Sequence, residues 1–256
     1  MQQSRQKTLA LGALLVLGIT STAQAALIDR GDGLIYDDVL DVTWLQDANY
    51  AFTSGYAGAN AVDSGSGATD NIFANGRMGW DAANTWAANL SFGGYDDWRL
   101  TTMTDTGTLG CNSANSGTDC GYNIDTDFSE MAYMYHNNLG LKSRLDASGV
   151  IQSDYGVFGN GAYNGVDKSS LGEKDFTVMQ NVQAFVYWSG VEFALAPAVG
   201  AWSFVPGDGH QRGDNKNEEF YAWAVRDGDV TAVPPPVPFW LIGSRLIGLL
   251  GWKRKR

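Results

Sequence analysis

The sequence predicts an α+β domain in which two helices cover a mostly antiparallel sheet. Two segments, 78–94 and 128–139, carry apolar residues at the three- and four-residue steps of a helix. Short apolar or alternating runs, bounded by turn-forming residues, precede the first helix, separate the two helices and fill the last third of the chain. The 32 glycines, 9 tryptophans and 11 tyrosines fit a loop-rich domain whose aromatic side chains supply a core.

The first third is expected to begin with two strands, 33–38 and 42–45, joined by a tight turn. Asp47 is placed to cap a short helix that follows them. The stretch 54–76 is rich in glycine and serine and is expected to be a surface insertion. The first long helix comes next, and its buried stripe is expected to contain Trp80, Ala83, Ala87 and Leu90.

The remaining elements are a turn and strand at 95–100, a second helix and a strand meander. The meander is expected at 184–189, 191–196, 200–205 and 220–226, with an exposed polar connection at 206–219 and a second insertion at about 150–180. The stripe of the second helix is expected to contain Phe128, Met131, Ala132, Tyr135 and Leu139.

Residues 1–25 have the three parts of a secretory signal peptide: a basic start with Arg5 and Lys7, an apolar run, and a small-x-small sequence ending at Ala25. This predicts an N-terminal signal helix, export through the Sec translocon, and cleavage by signal peptidase between Ala25 and Ala26. The mature domain would then occupy residues 26–232.

Residues 233–256 combine a proline run, a short apolar segment interrupted by one serine and one arginine, and a basic end. The apolar segment is shorter than the roughly 20 residues of a comfortable bilayer span, and its arginine is costly in the membrane. The pattern resembles the VPLPA-like variant of the PEP-CTERM sorting signal, with Val233, Pro234, Pro235 and Pro236 as its motif.

That resemblance implies a hydrophobic sorting helix that inserts transiently in the inner membrane of a Gram-negative bacterium and is cleaved by an exosortase. The protein would reach the cell envelope, the outer surface or the extracellular matrix. The open alternative is an ordinary C-terminal tail anchor.

The charge balance limits the partners of the mature domain. Without the two terminal segments the chain keeps 28 acidic and 10 basic residues, a formal charge of −18. Such a domain repels nucleic acid and anionic lipid, and it disfavours polyanionic glycans as general ligands. Cations and neutral polysaccharides remain compatible partners.

Cys111 and Cys120 are the two cysteines of the chain. In an exported protein they are expected to form a disulfide that closes a short loop. The alternative is a reactive thiol pair, which the sequence does not favour because no basic or aromatic residue adjoins either sulfur.

Four phrases, GLIYDDVLDVTWLQDANYA, MGWDAANTWAANLSFGGYDDWRL, VYWSGVE and YAWAVRDGD, resemble the DUF1566 or Lcl C-terminal domain family. The chain departs from the family pattern at Thr101, where proline is usual, and at Gly190, where serine is common. The matching positions are Trp80, Ala83, Gly94, Asp97, Trp98, Arg99, Leu100, Tyr187, Trp188, Ser189, Val225 and Arg226.

This resemblance implies a single domain related to the C-type-lectin-like and formylglycine-generating-enzyme-like folds. One branch of the family is associated with surface adhesion and glycan binding. From the residues themselves, the motif tryptophans are expected to fill the core, and Arg99 and Arg226 to pair with carboxylates such as Asp96, Asp97 or Asp227. The alternative is that some tryptophans stack on sugar rings, which requires exposed rings.

Oxygen ligands for calcium are the weakest signal. Two acidic runs place carboxylates close together, but neither has the spacing of an EF-hand, and Asp and Asn are also ordinary turn formers. If the domain binds calcium, the candidate ligands are Asp125, Asp127, Asp208 and Asp214.

No catalytic constellation stands out. The chain has two histidines, His136 and His210, and neither a G-x-S-x-G elbow nor an H-E-x-x-H pair. The sequence therefore predicts a non-enzymatic surface protein with a role in glycan binding or in an exopolysaccharide matrix. The alternative is a polysaccharide-active hydrolase that uses an Asp/Glu pair.

Overall fold

The computed structural model describes residues 27–108, 111, 119–124, 126–161 and 172–230. The predicted signal helix, the predicted sorting helix and Asp125 lie outside these residues. Within the described part of the chain, no helix has both the length and the apolar character needed to span a membrane.

The described residues form a mostly antiparallel β domain with few helices. The strands are β1 (Leu27–Gly31), β2 (Leu34–Asp37), β3 (Val42–Leu45), β4 (Arg99–Leu100), β5 (Gly121–Tyr122), β6 (Glu173–Lys174), β7 (Val182–Gln183), β8 (Tyr187–Glu192), β9 (Gly200–Val205), β10 (His210–Asn215) and β11 (Ala224–Asp227). A five-stranded sheet has the order β1-β2-β3-β11-β4, a four-stranded sheet has the order β5-β10-β9-β8, and β6 pairs with β7.

Helices are short and lie between strands. A 3-10 turn precedes the last of them, and a π-helical segment follows it. The helices are α1 (Tyr50–Thr53), α2 (Tyr56–Ala59), α3 (Trp80–Ala88) and α4 (Glu130–Tyr133), with the 3-10 turn at Thr126–Phe128 and the π segment at Met134–Asn138.

The first hairpin confirms the two strands expected near the start of the domain. Asp37 ends β2 and faces Val42, the first residue of β3. Its carboxylate accepts hydrogen bonds from the backbone N–H groups of Val39 and Leu40, at 3.1 and 3.0 Å. This local bonding forms the turn and fixes the register of the pair. Strand β1, which precedes this hairpin, was not predicted from the sequence.

Helix α3 confirms the first long helix. Its buried side chains include Ala83, Trp86 and Ala87, which the helical spacing places on one face. Asp81 lies in the first turn, where its negative charge favours the helix N-terminus, and its carboxylate accepts a 2.5 Å hydrogen bond from Thr69. That bond also ties the predicted insertion 54–76 to the helix.

The second helix differs from its prediction at both ends. The hydroxyl of Ser129 accepts a hydrogen bond from the Ala132 N–H at 3.2 Å, so α4 begins only after Ser129. Phe128 therefore lies before the cap and is 54% exposed, although the helical spacing put it on the buried stripe. After α4 the helix continues with the wider turns of the π-helical segment.

The expected exposed connection at 206–219 is wrong, because it contains β10, an inner strand between β5 and β9. Its Gln211 is buried, with the amide donating to the Asp119 carbonyl at 2.8 Å and accepting from the Ser129 hydroxyl at 2.6 Å. Burial of this polar segment is tolerated because its side chains and backbone are hydrogen-bonded. Hydropathy alone does not reveal such a strand.

One large core joins both main sheets to α3. Trp44 of β3 packs edge-on against Trp223 at 5.0 Å between ring centroids, and Tyr187 of β8 lies 5.8 Å from Trp223. A smaller cluster contains Met103, Cys120 and Trp202. Aromatic side chains thus supply much of the buried surface, as the composition suggests.

Candidate functional site

The aromatic residues of the family motif lie where α3 meets the strands. Trp80 donates its indole N–H to the Ser189 carbonyl at 2.8 Å, and Trp188 donates to the Met78 carbonyl at 2.9 Å. Both bonds connect segments more than a hundred residues apart in the chain. Trp98 and Trp188 are buried, and the half-buried Trp80 ring is covered by the Lys216 ammonium at 4.1 Å.

Arg99 of β4 is the most highly connected cation of the motif. Its guanidinium binds Glu130 with two hydrogen bonds of 2.9 and 2.8 Å and also binds Asp227 at 3.0 and 2.5 Å. Burial opposes the charge on Arg99, but the bonds to both carboxylates raise its pKa. The expected pair with Asp227 is confirmed, whereas the partner Glu130 was not foreseen.

Arg226 of β11 forms the second expected pair. Its guanidinium binds Asp97 at 2.7 and 2.8 Å and lies 4.1 Å from the centre of the Tyr95 ring. The Arg226 hydrogen bond lowers the pKa of the Asp97 carboxyl. The pair holds the segment before β4 against β11.

These contacts favour a structural role for the motif. The hydroxyl of the fully buried Tyr187 accepts a hydrogen bond from the Gln183 N–H at 2.8 Å, and burial raises the pKa of Tyr187 well above its usual value. The main polar groups of the motif are therefore hydrogen-bonded to one another or to the backbone, as expected of groups that hold the fold together. The tryptophan-stacking alternative gains no support, since none of the tryptophans in the described residues is exposed.

Arg99 and its two carboxylate partners, Glu130 and Asp227, form a cluster that we call the Arg99 clamp. A hollow of about 250 Å³ lies beside this clamp, and we call the hollow the Phe128 hollow. The exposed Phe128 ring lies on its rim, Thr102 and Thr104 are exposed beside it, and the Glu130 carboxylate is mostly buried. Its lining residues are Leu40, Thr102, Met103, Thr104, Thr126, Asp127, Phe128, Ser129 and Glu130.

Two extended segments position this hollow. The Thr104 N–H donates to the Phe128 carbonyl at 2.7 Å, and the Glu130 N–H donates to the Thr102 carbonyl at 3.1 Å. The Thr102 N–H in turn donates to the Glu130 carboxylate at 2.7 Å. The motif strand β4 therefore leads directly into one wall of the hollow, and Arg99 fixes the carboxylate beside it.

The candidate calcium ligands do not converge. Asp127 lines the Phe128 hollow, Asp208 is buried 3.5 Å from the Tyr122 hydroxyl, and Asp214 accepts bonds from Ser203 and Arg212 at 2.5 and 2.8 Å. Within the described ranges, no group of three or more His, Cys, Asp or Glu side chains could hold a metal ion.

The predicted disulfide is present between Cys111 and Cys120, whose Cα atoms are 4.5 Å apart. Cys120 packs in the small cluster with Met103 and Trp202. The bond therefore closes a short loop and attaches it to the domain, as expected of a structural disulfide.

Both histidines pack against aromatic rings in the described structure. His136 lies against the Tyr135 ring and makes a 3.1 Å hydrogen bond through Nδ1 with the Leu141 carbonyl. Burial lowers the pKa of His136 and so favours its neutral form. His210 stacks on the Tyr122 ring at 4.7 Å between centroids. Both environments are those of packed side chains.

Comparison with known families identifies the domain. The model of the Lcl C-terminal domain matches residues 33–226, which include both motif arginines and every lining residue of the Phe128 hollow. No curated protein and no solved structure matches the chain. Because the match covers most of the sequence, the chain belongs to the Lcl C-terminal domain family.

Proposed function

We propose that this protein is an exported, non-enzymatic surface protein that binds neutral polysaccharide through the Phe128 hollow. The observation that carries the proposal is an aromatic ring, 54% exposed, on the rim of a hollow that also contains threonine hydroxyls. An apolar ring face with a few polar groups beside it matches the alternating C–H and hydroxyl surfaces of a sugar.

The charge of the site selects among glycans. Asp127 and Glu130 both line the hollow, and the mature domain carries a large negative charge. A sulfated or carboxylated polysaccharide would be repelled by Asp127 and by the net negative charge of the domain, although the charge of Glu130 is compensated by Arg99. A neutral polysaccharide avoids this electrostatic repulsion, and its hydroxyl groups can donate hydrogen bonds to carboxylate oxygens.

The same hollow supports binding over hydrolysis. A glycosidase of the two-carboxylate type needs one carboxyl group that donates a proton to the leaving oxygen. Both oxygens of Glu130 already accept hydrogen bonds from Arg99 or Thr102. Glu130 is therefore engaged in holding the clamp, and the proposal gives it a positioning role.

The finer assignment of the fold is also part of the proposal. Family membership and the small antiparallel sheets around a single aromatic core support a C-type-lectin-like or formylglycine-generating-enzyme-like domain. Such domains expose loops for binding on a rigid scaffold, which is how the Phe128 hollow is built.

We propose export by the Sec route with cleavage after Ala25, and exosortase processing at the motif that starts at Val233. The disulfide supports an oxidising compartment. The two ends of the described domain also lie together, because Arg30 pairs with Asp229 at 2.5 Å. Two terminal segments that leave from one place can both reach the same membrane without unfolding the domain.

Mass spectrometry of the native protein tests the sorting proposal. The mature protein should lack residues 1–25 and the segment after the proline motif. Recovery of peptides from the basic C-terminus in the inner membrane fraction would instead identify a tail anchor.

A glycan array with the mature protein tests the binding proposal, with Phe128→Ala as the site variant. Phe52→Ala is the matched control, because Phe52 is 50% exposed but lies outside the hollow. We expect Phe128→Ala to weaken retention about tenfold, equivalent to about 1.4 kcal/mol, and Phe52→Ala to leave it unchanged. Equal loss in both variants would refute the site.

A further inference from the structure

A second hollow, of about 260 Å³, lies beside the β8–β9 connection, and we call it the Phe193 hollow. The half-buried Phe193 ring packs edge-on against the Trp202 ring at 5.1 Å between centroids. Its lining residues are Phe193, Ala196, Val199, Gly200, Gly213, Asp214 and Asn215.

Glycine in the sheet makes room for this ring. A Cβ atom on Gly213 would lie 3.1 Å from the Phe193 ring, and one on Gly200 would lie 3.2 Å from the Phe193 Cβ. Asn215 is two positions beyond Gly213 in β10 and therefore lies on the same face of the sheet. The hollow thus combines an aromatic ring, bare backbone and an exposed amide.

The segment from Thr102 to Asp105 connects the two hollows. On the side of the Phe128 hollow, the Thr104 N–H donates a hydrogen bond to the Phe128 carbonyl. On the other side, Asp105 Oδ2 accepts bonds from the Ala194 N–H and the Trp202 indole N–H, both at 2.6 Å. Because Ala194 adjoins Phe193, one short segment holds both aromatic residues in place.

This path bounds the distance between the two aromatic residues. It consists of one antiparallel neighbour pair, two steps along the chain and one side-chain contact. At about 5.5 Å for the pair, about 3.8 Å for each step and about 7 Å from the Asp105 Cα through its carboxylate to the Ala194 Cα, the Cα atoms of Phe128 and Phe193 are at most about 20 Å apart. Met103 anchors the segment between them in the small cluster with Trp202.

We propose that the two hollows form one elongated site for an internal stretch of a neutral polysaccharide chain. Each hollow is smaller than the roughly 300 Å³ at which ligand pockets usually begin, so each suits a single sugar unit. A chain that occupies both gains from the second contact at high effective concentration, whereas a short sugar does not. This inference rests on the proposed polysaccharide binding and adds its length dependence.

The surface of the segment from Thr102 to Asp105, which we call the strip, also suits a neutral polysaccharide. Asp105 and Asp127 lie at or near the two ends of the strip, and the exposed Thr104 hydroxyl lies between them. Such a surface accepts hydrogen bonds from sugar hydroxyls along its length and repels acidic chains.

Isothermal titration of the mature protein with cello-, malto- and chito-oligosaccharides tests the inference. In the series that binds, we expect the hexasaccharide to bind at least about tenfold more tightly than the disaccharide. Phe128→Ala and Phe193→Ala should each abolish that difference, and Phe52→Ala should preserve it. Asn215→Ala removes an exposed amide, so it tests the second hollow even if loss of the Phe193 ring impairs folding.

The outcomes separate this inference from the function on which it rests. If disaccharide and hexasaccharide bind equally, and only Phe128 matters, then the elongated site is wrong and polysaccharide binding stands. If two disaccharides bind independently to one protein, the hollows are separate sites and the inference is again wrong. If no saccharide of any series or length binds, both the inference and the proposed function fail.

Discussion

Replacement of Asp105 tests how the strip between the hollows is held. In Asp105→Ala, the Trp202 indole, the Ala194 N–H and the Gly107 N–H all lose their acceptor. Trp202 is 1% exposed, so its indole N–H remains buried without a partner. An orphaned buried donor costs about 1–3 kcal/mol, and the two exposed backbone groups can return to water at little cost. We therefore expect a loss of about 2 kcal/mol.

The assay is urea unfolding followed by intrinsic tryptophan fluorescence. With a slope of about 2 kcal/mol per molar urea, the midpoint should fall by about 1 M in Asp105→Ala. Asp105→Asn keeps one acceptor oxygen for the indole and should lose about half as much. Asp154→Ala is the control, because Asp154 has one exposed ion pair with Lys142 and such pairs contribute little.

An unchanged midpoint in Asp105→Ala would refute the reasoning, since it would mean that the Trp202 indole does not depend on this carboxylate. A loss in Asp154→Ala as large as that in Asp105→Ala would also refute it, because the effect would then reflect net charge.

Further predictions concern the core, the disulfide and pH. Trp223→Phe should destabilise the domain by about 1 kcal/mol more than Trp44→Phe in urea unfolding. The reason is that the Trp223 indole donates to the Leu45 carbonyl at 2.8 Å, whereas the buried Trp44 indole N–H has no partner among the described residues. An equal loss of stability in the two variants would contradict this. Cys120→Ser should cost about 2–3 kcal/mol, and a reducing agent should lower wild-type stability equally but leave the variant unchanged. The pair with Arg226 lowers the folded-state pKa of Asp97, so its contribution is present above about pH 4 and is lost as the pH falls through that pKa. Asp97→Asn should therefore be less stable than wild type at pH 7, by less than about 1 kcal/mol because Asp97 is 55% exposed, and this difference should vanish once the pH has fallen below the lowered pKa of Asp97; a difference that persists at the acid limit would contradict the assignment.

Local features of the fold could be predicted from the sequence because they are written in neighbouring residues. The first hairpin follows from Asp37 and the apolar runs around it, and α3 follows from alanines and tryptophans at helical spacing. The cysteine pair lies nine positions apart in the chain, so its bond requires little of the rest of the fold. The family could also be identified from short phrases.

The errors arose where long-range contacts overruled local pattern. Phe128 has the spacing of a buried helix residue, yet its carbonyl pairs with the Thr104 N–H, the helix begins only after Ser129, and the ring is left exposed. The segment around Gln211 is polar enough to be an exposed connection, yet its amide has partners at Asp119 and Ser129 that make burial stable. Neither outcome can be derived without knowing which segments lie side by side.

The sequence by itself determined the family, the antiparallel character of the domain, the disulfide and the pairing of its two motif arginines with carboxylates. Only the tertiary structure decided that Glu130, 31 residues from Arg99, completes the clamp, and that Phe128 is exposed beside it. The physical reason is that hydrophobic spacing and turn chemistry act over a few residues, whereas a binding surface is formed by segments that folding brings together from distant parts of the chain.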